Sequence, residues 1–184
     1  MNLVKIRRLL ILAHLYIAAL LAPAFILVGA TGALYVAGVK GAETETSIAF
    51  APDAQLDPSS PTLETDLRDV LGAAGIEVDF EYLIVRPGMI MTRPTSREYV
   101  RLDLSGEGLS GAVYRPDLPK ALMELHKGHG PRAFRVYQIA MGSMLVLVAL
   151  GGLLVGLLAA SYRRATIIAT LIGSGIFAAL AFLA

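Results

Sequence analysis

The chain has 184 residues, 55% of them hydrophobic and 17% charged, with a formal net charge of +1 and no cysteine. The missing thiol excludes disulfides, thiolate metal sites, iron–sulfur ligation and cysteine nucleophiles. Bases and acids are interleaved through the polar part of the chain, so it carries no nucleic-acid footprint.

All fifteen Asp and Glu residues lie between Glu43 and Glu124. Outside that window stand three nearly uncharged apolar stretches, residues 9–39, 136–160 and 165–184. A helix needs roughly 20 apolar residues to cross a bilayer core of about 30 Å. In hydrocarbon its backbone groups must be satisfied within the segment, which favours helices over buried strands. The expected fold class is therefore an α-helical membrane protein with three transmembrane helices and a small α+β extracytoplasmic domain, residues 40–135, between the first two. Residues 1–8 and the 161–164 turn complete the division.

Lys5, Arg7 and Arg8 precede the first stretch, and Arg163 and Arg164 occupy the connection between the second and third. Short loops rich in Lys and Arg stay cytoplasmic. The expectation is a bacterial inner (cytoplasmic) membrane protein with its N-terminus and 161–164 turn inside and residues 40–135 periplasmic. The eleven Lys and Arg residues from Lys40 to Arg135 do not oppose this, because so long a segment translocates regardless of charge. The rival for the N-terminus is a secretory signal cleaved near Ala22-Pro23-Ala24. Apolar residues continue past Phe25 to Gly29, Thr31 and Val36, well beyond the roughly 7 to 15 of a signal core, so an anchor is expected. Pro23 should kink this long span, and Gly29 and Gly32 should let it lie close to the return helix.

Residues 43–61 contain Pro52, Pro58 and Pro61 and read as a linker. Thr62 caps a predicted helix with Leu63, Leu67, Val70 and Leu71 on one face, ending near Gly72 or Gly75. Three strands are predicted next: 80–86, 89–92 extended by 99–104, and 109–114, with Pro87-Gly88 and Gly106-Glu107-Gly108 as turns. Leu83, Val85, Ile90, Val100, Leu102 and Leu104 follow period two in part, which suits an antiparallel sheet covered on one face by the helix. A second helix is predicted from Asp117 or Leu118 through Leu122 and Leu125 to a break at Gly128 and Gly130.

The borders of the apolar stretches resemble a known family. Ala13-His14-Leu15-Tyr16 leading to Gly29-Ala30-Thr31-Gly32-Ala33-Leu34 resembles the first helix of PepSY-associated transmembrane proteins. Leu125-His126-Lys127-Gly128-His129-Gly130, followed by residues 136–157, is similar to that family's return helix. The helix, strands and helix between them then look like a PepSY-type module. The resemblance implies siderophore-linked ferric reductases, whose intramembrane histidines bind haem, or small proteins without known activity. PepSY modules elsewhere are associated with protease propeptides and inhibition. This chain departs from the reductase type in its length, its three spans and its three histidines.

His14, His126 and His129 are the candidate haem b ligands. His14 lies one to two turns into the first span, whereas the other two precede the second span at the opposite face. With about 30 Å of hydrocarbon between the faces, one iron cannot be shared across it. His126 and His129 are three residues apart and share a face of any continuous helix, a spacing that suits zinc better than haem, but no third or fourth ligand is identifiable. The bland alternative makes the outer pair headgroup-level polar residues and His14 a hydrogen-bonding contact, since polar residues within spans are rare but not always ligands. No metal site is predicted. No catalytic set assembles either: Ser59, Ser60, Ser96, Ser105 and Ser110 lie in polar turns, the acids are scattered, and Gly106-Glu107-Gly108 is a hairpin rather than a phosphate loop.

Gly152 and Gly156 form a small-xxx-small pair that Gly142, Ser143 and Gly151 extend, and Ala169 with Gly173 and Gly175 with Ala179 repeat the spacing in the third span. Small residues let helix backbones approach closely in lipid, either within a hairpin or against another chain. Besides the lipid bilayer, other membrane-protein subunits are the expected partners, through Gly142, Gly152, Gly156 and Gly175. The functional expectation is a non-catalytic accessory or assembly subunit of a larger inner-membrane complex, an electron-transfer complex foremost, with no cofactor of its own. The alternatives are a haem-binding ferric reductase component of siderophore iron uptake and a regulator that binds a periplasmic protein or peptidase.

Overall fold

The structure is a computed structural model describing residues 3–106 and 108–183. Met1, Asn2, Glu107 and Ala184, which belong to the predicted N-terminal segment, hairpin turn and third span, lie outside the described residues. The elements in chain order are helix α1 (Leu3–Val36), strand β1 (Glu43–Ser47), helix α2 (Leu63–Ala73), strands β2 (Tyr82–Arg86), β3 (Met89–Arg93), β4 (Tyr99–Asp103) and β5 (Ser110–Pro116), and helices α3 (Leu118–His126), α4 (Arg132–Leu158) and α5 (Arg163–Phe182). Contacts divide the chain into two units, Met1–Phe25 with Ile139–Ala184, and Ile26–Gln138.

Helices α1, α4 and α5 are each long and apolar enough to cross a membrane. Each begins before its apolar stretch: α1 at Leu3 rather than residue 9, α4 at Arg132 rather than 136, and α5 at Arg163 rather than 165. Hydropathy marks where a helix meets hydrocarbon, and Lys and Arg extend its water end without breaking its hydrogen bonds. Pro23 lies inside α1. The α4–α5 connection is residues 159–162, two residues earlier than the predicted 161–164 turn, because α4 ends at Leu158 and α5 already includes Arg163 and Arg164.

The second unit contains a five-stranded antiparallel sheet of order β1-β5-β4-β3-β2. The sheet differs from the predicted one in two places. The expected linker opens with a strand, because Glu43–Ser47 pairs with β5 from Glu43↔Pro116 to Ser47↔Ala112. The single strand predicted through 89–104 is two strands, β3 and β4, paired from Met89↔Asp103 to Met91↔Arg101. The apolar alternation runs through both, and the intervening turn, which carries the cis Arg93–Pro94 peptide, contains no glycine to mark it.

The two faces of the sheet separate by the period of two. Ile90, Val100, Leu102 and Val113 form one face, on which α2 lays Leu63, Leu67 and Leu71. These three leucines recur every fourth residue and form the helix stripe. Leu67 is fully buried, and truncating such a leucine to alanine costs about 2–5 kcal/mol. Helix α2 ends where the sequence predicts, with Gly75 at φ +73° just beyond it. On the other face Tyr99 and Tyr114 are register partners, stacked with centroids 5.3 Å apart. Arg101 lies 4.5 Å over the Tyr114 ring, and the Tyr99 hydroxyl donates to Glu43 of β1 at 3.0 Å. Burial, with that hydrogen bond, raises the Tyr99 pKa.

Asp117 caps α3 and ties it to the approach to β1. Its carboxylate accepts from the Lys120 N–H at 2.8 Å and the Ala42 N–H at 2.9 Å, while its own N–H donates to the Ala42 carbonyl. Gly41 (φ +73°) sits against this latch, where a Cβ would collide with the Lys120 main-chain nitrogen.

Candidate functional site

Helix α3 buries a carboxylate. Its apolar residues direct one face inward, and that face includes Glu124, whose side chain is only 7% exposed. Lys120 and Lys127, one turn to either side, stand 3.6 Å and 3.3 Å from Oε1. Thr95 donates to Oε2 at 2.7 Å, and Arg93 donates to Thr95 at 2.6 Å. The Nδ1 of His129 lies 2.7 Å from the same Oε2. Burial alone pushes the Glu124 carboxyl up. The hydrogen bonds from His129 and Thr95 and the charges of Lys127 and His129 outweigh it and hold the carboxyl at about 2. An ionised carboxylate only accepts, so the His129 Nδ1 carries the proton and donates. The result is a hydrogen-bonded anion among cations.

The sequence did not single out Glu124, Arg93 or Thr95. The Lys120, Glu124, Lys127 spacing is legible, since residues three and four apart on a helix are neighbours. Arg93 arrives from the end of β3 and Thr95 from the β3–β4 turn, which no local pattern connects to α3.

His126 and His129 do not share a helix face, contrary to their spacing. Helix α3 ends at His126 and Gly128 adopts φ +78°, so the chain reverses between them. His126 turns to Thr31 of α1, with Nδ1 2.6 Å from the buried Thr31 hydroxyl. That hydroxyl has a single proton and places it on the Leu27 carbonyl at 2.6 Å. The Nδ1 of His126 is therefore the donor, and a neutral ring presents its lone pair at Nε2. The Gln138 amide donates to the His126 carbonyl at 2.5 Å. Gly32, one residue after Thr31, leaves room for this ring, whose Cε1 is 3.6 Å from a Cβ built there, whereas Gly29 faces open space. Nearby, the ammonium groups of Lys40 and Lys127 stand 5.0 Å and 5.8 Å from the Tyr35 ring centroid.

His14 lies in the other unit. Its Nδ1 is 3.0 Å from the Val148 carbonyl of α4, and a carbonyl can only accept. This nitrogen is protonated, leaving Nε2 with the lone pair in a neutral ring. Gly152 makes the approach possible, because a Cβ there would stand 3.2 Å from Cε1 of His14. His14 is the only imidazole of its unit, so a bis-imidazole iron there needs a second nitrogen from outside it. Gly156 faces Thr166 of α5, whose hydroxyl lies 2.5 Å from a Cβ built there. Gly142, Gly173 and Gly175 face open space.

No protein-family model, no curated protein and no solved structure matches this chain.

Proposed function

We propose that this chain is a non-catalytic accessory or assembly subunit of a larger bacterial inner-membrane complex, foremost an electron-transfer complex. Its N-terminus is cytoplasmic, and residues 40–135 form a periplasmic module of PepSY type. The observation that carries this reading is the division of the small residues. Gly152 and Gly156 are filled by His14 and Thr166 of the same chain, while Gly142, Gly173 and Gly175 face open space and α5 has no buried residue. Lipid gains little from a small-residue surface, whereas a second helix gains close backbone packing. The test is purification in mild detergent from the native membrane, followed by identification of stoichiometric partners. Stable, colourless co-purification with subunits of an oxidase, reductase or photosynthetic complex supports the assignment, and recovery of the chain alone overturns it.

A haem-carrying ferric reductase component is the second reading, favoured by one observation. The Val148 carbonyl fixes the His14 tautomer, leaving Nε2 as the nitrogen that would hold the haem iron. Haem held there supplies one-electron chemistry. The Val148 carbonyl would orient the His14 ring toward the haem, and any second ligand would come from outside the unit. A stoichiometric Soret band in the same preparation decides for this reading.

A further inference from the structure

We propose that the first turns of α1 and the end of α4 form a binding site for one anionic phospholipid. Val4, Arg7, Arg8, Ile11 and Leu12 fall on one helical face, and with Leu158 they line a cleft of about 330 Å³. The Nε of Arg7 is buried and has no hydrogen-bond partner among the described residues. Arg163, by contrast, spends its Nε on the Leu157 carbonyl at 2.8 Å. The unit that holds this cleft contains Lys5, Arg7, Arg8, Arg163 and Arg164 but no Asp or Glu. No carboxylate side chain of the unit neutralises the two arginines of the cleft.

The lining selects the anion. Two guanidinium forks match the oxygens of a phosphodiester, and basic pockets beside membrane helices take acidic headgroups. Inorganic phosphate satisfies the arginines but leaves Ile11, Leu12 and Leu158 uncovered. A glycerophospholipid satisfies both, with its phosphate on Arg7 and Arg8 and an acyl chain along the three apolar side chains.

The experiment is native mass spectrometry of the full-length chain, purified in mild detergent and exposed to phosphatidylglycerol or phosphatidylcholine. At about fivefold per surface cation, the wild type should retain phosphatidylglycerol about 25-fold more tightly. The Arg7→Gln, Arg8→Gln variant should bring the two lipids to near parity, whereas Lys40→Gln, remote from the cleft in sequence, should keep the preference. The Arg7→Lys, Arg8→Lys variant preserves the charges that set topology and should retain only part of the preference, so the test survives if the glutamine variant fails to insert. Equal retention of both lipids by the wild type overturns the site. So does an undiminished preference in the glutamine variant, an equal loss in Lys40→Gln, or displacement of the lipid by inorganic phosphate.

Discussion

His129 donates its Nδ1 proton to Glu124 across 2.7 Å, joining the residue just past the end of α3 to a carboxylate buried within it. His129 also accepts from the Thr95 N–H through its carbonyl, so one residue closes the network from both sides. This contact has a pH signature. The ordinary glutamate value of 4.5 falls to about 2 in the folded chain. A depressed carboxylate contributes stability that is fully present above its unfolded value and lost as pH falls through its folded one. The window is about pH 4.5 down to about 2, and the contribution is about 3 kcal/mol. Thermal midpoints of the full-length chain in detergent should fall across that window. The fall should be smaller in Glu124→Gln, and equal slopes in the two proteins would remove Glu124 from the account.

At neutral pH the same Glu124→Gln change removes the carboxylate beside Arg93 and Lys127 and leaves Lys120 with Glu43 alone, at 3.6 Å. Breaking a buried ionic network from one side costs about 3–5 kcal/mol. Hydrogen exchange of the α3 amides in the full-length chain should accelerate accordingly, and unchanged protection there contradicts the prediction.

The periodic parts of this fold were legible in the sequence. The three apolar helices follow from uninterrupted hydropathy, α2 from its leucine stripe, and α3 from Asp117 and its apolar positions. Strand β1 was not legible, because Glu43, Thr44, Glu45, Thr46 and Ser47 show no apolar alternation. It is an edge strand paired on one side only, with all but its first residue exposed, and charged, polar residues guard such edges against further pairing. The histidine pair turns on a different feature, the break predicted at Gly128. Spacing of three implies a shared face only while the helix continues, and Gly128 ends that continuity before His129.

The two kinds of glycine in the apolar helices should respond differently to leucine. Gly152→Leu forces His14 away from Val148 and Gly156→Leu collides with Thr166, so each should destabilise the chain by about 1–3 kcal/mol. Gly173→Leu and Gly175→Leu meet no internal neighbour, and they should leave thermal stability unchanged while reducing partner recovery. Full partner retention in both would detach α5 from the assembly proposal.

Orientation is testable directly, since the chain has no native cysteine to remove. Single cysteines at the exposed positions Ser59 and Ser105 should label from the outside of intact cells with a membrane-impermeant thiol reagent. A cysteine at Ser161 should label only after permeabilisation. Labelling at Ser161 in intact spheroplasts reverses the topology inferred from the arginine pair.

His14→Gln separates a polar contact from an axial ligand. The glutamine amide can still donate to the Val148 carbonyl, so insertion and stability should persist in either case. In the accessory reading neither protein absorbs in the Soret region. A band present in the wild type and absent from the variant overturns that reading and establishes His14 as an iron ligand.

The pairing of β1 with β5 gives the polar module a neck. Glu43 and Pro116 are register partners, so the chain enters and leaves the sheet side by side, within about 5 Å across an antiparallel ladder. The Asp117 latch to Ala42 fastens the neck just outside the sheet. The long loop after β1 and the β4–β5 turn fall between these strands in sequence and can lengthen or shorten without changing the strands' separation, whereas the β3–β4 turn is held to α3 and His129 through Thr95. Length variation tolerated in those loops but not at residues 41–47 or 112–117 is the pattern such a neck imposes.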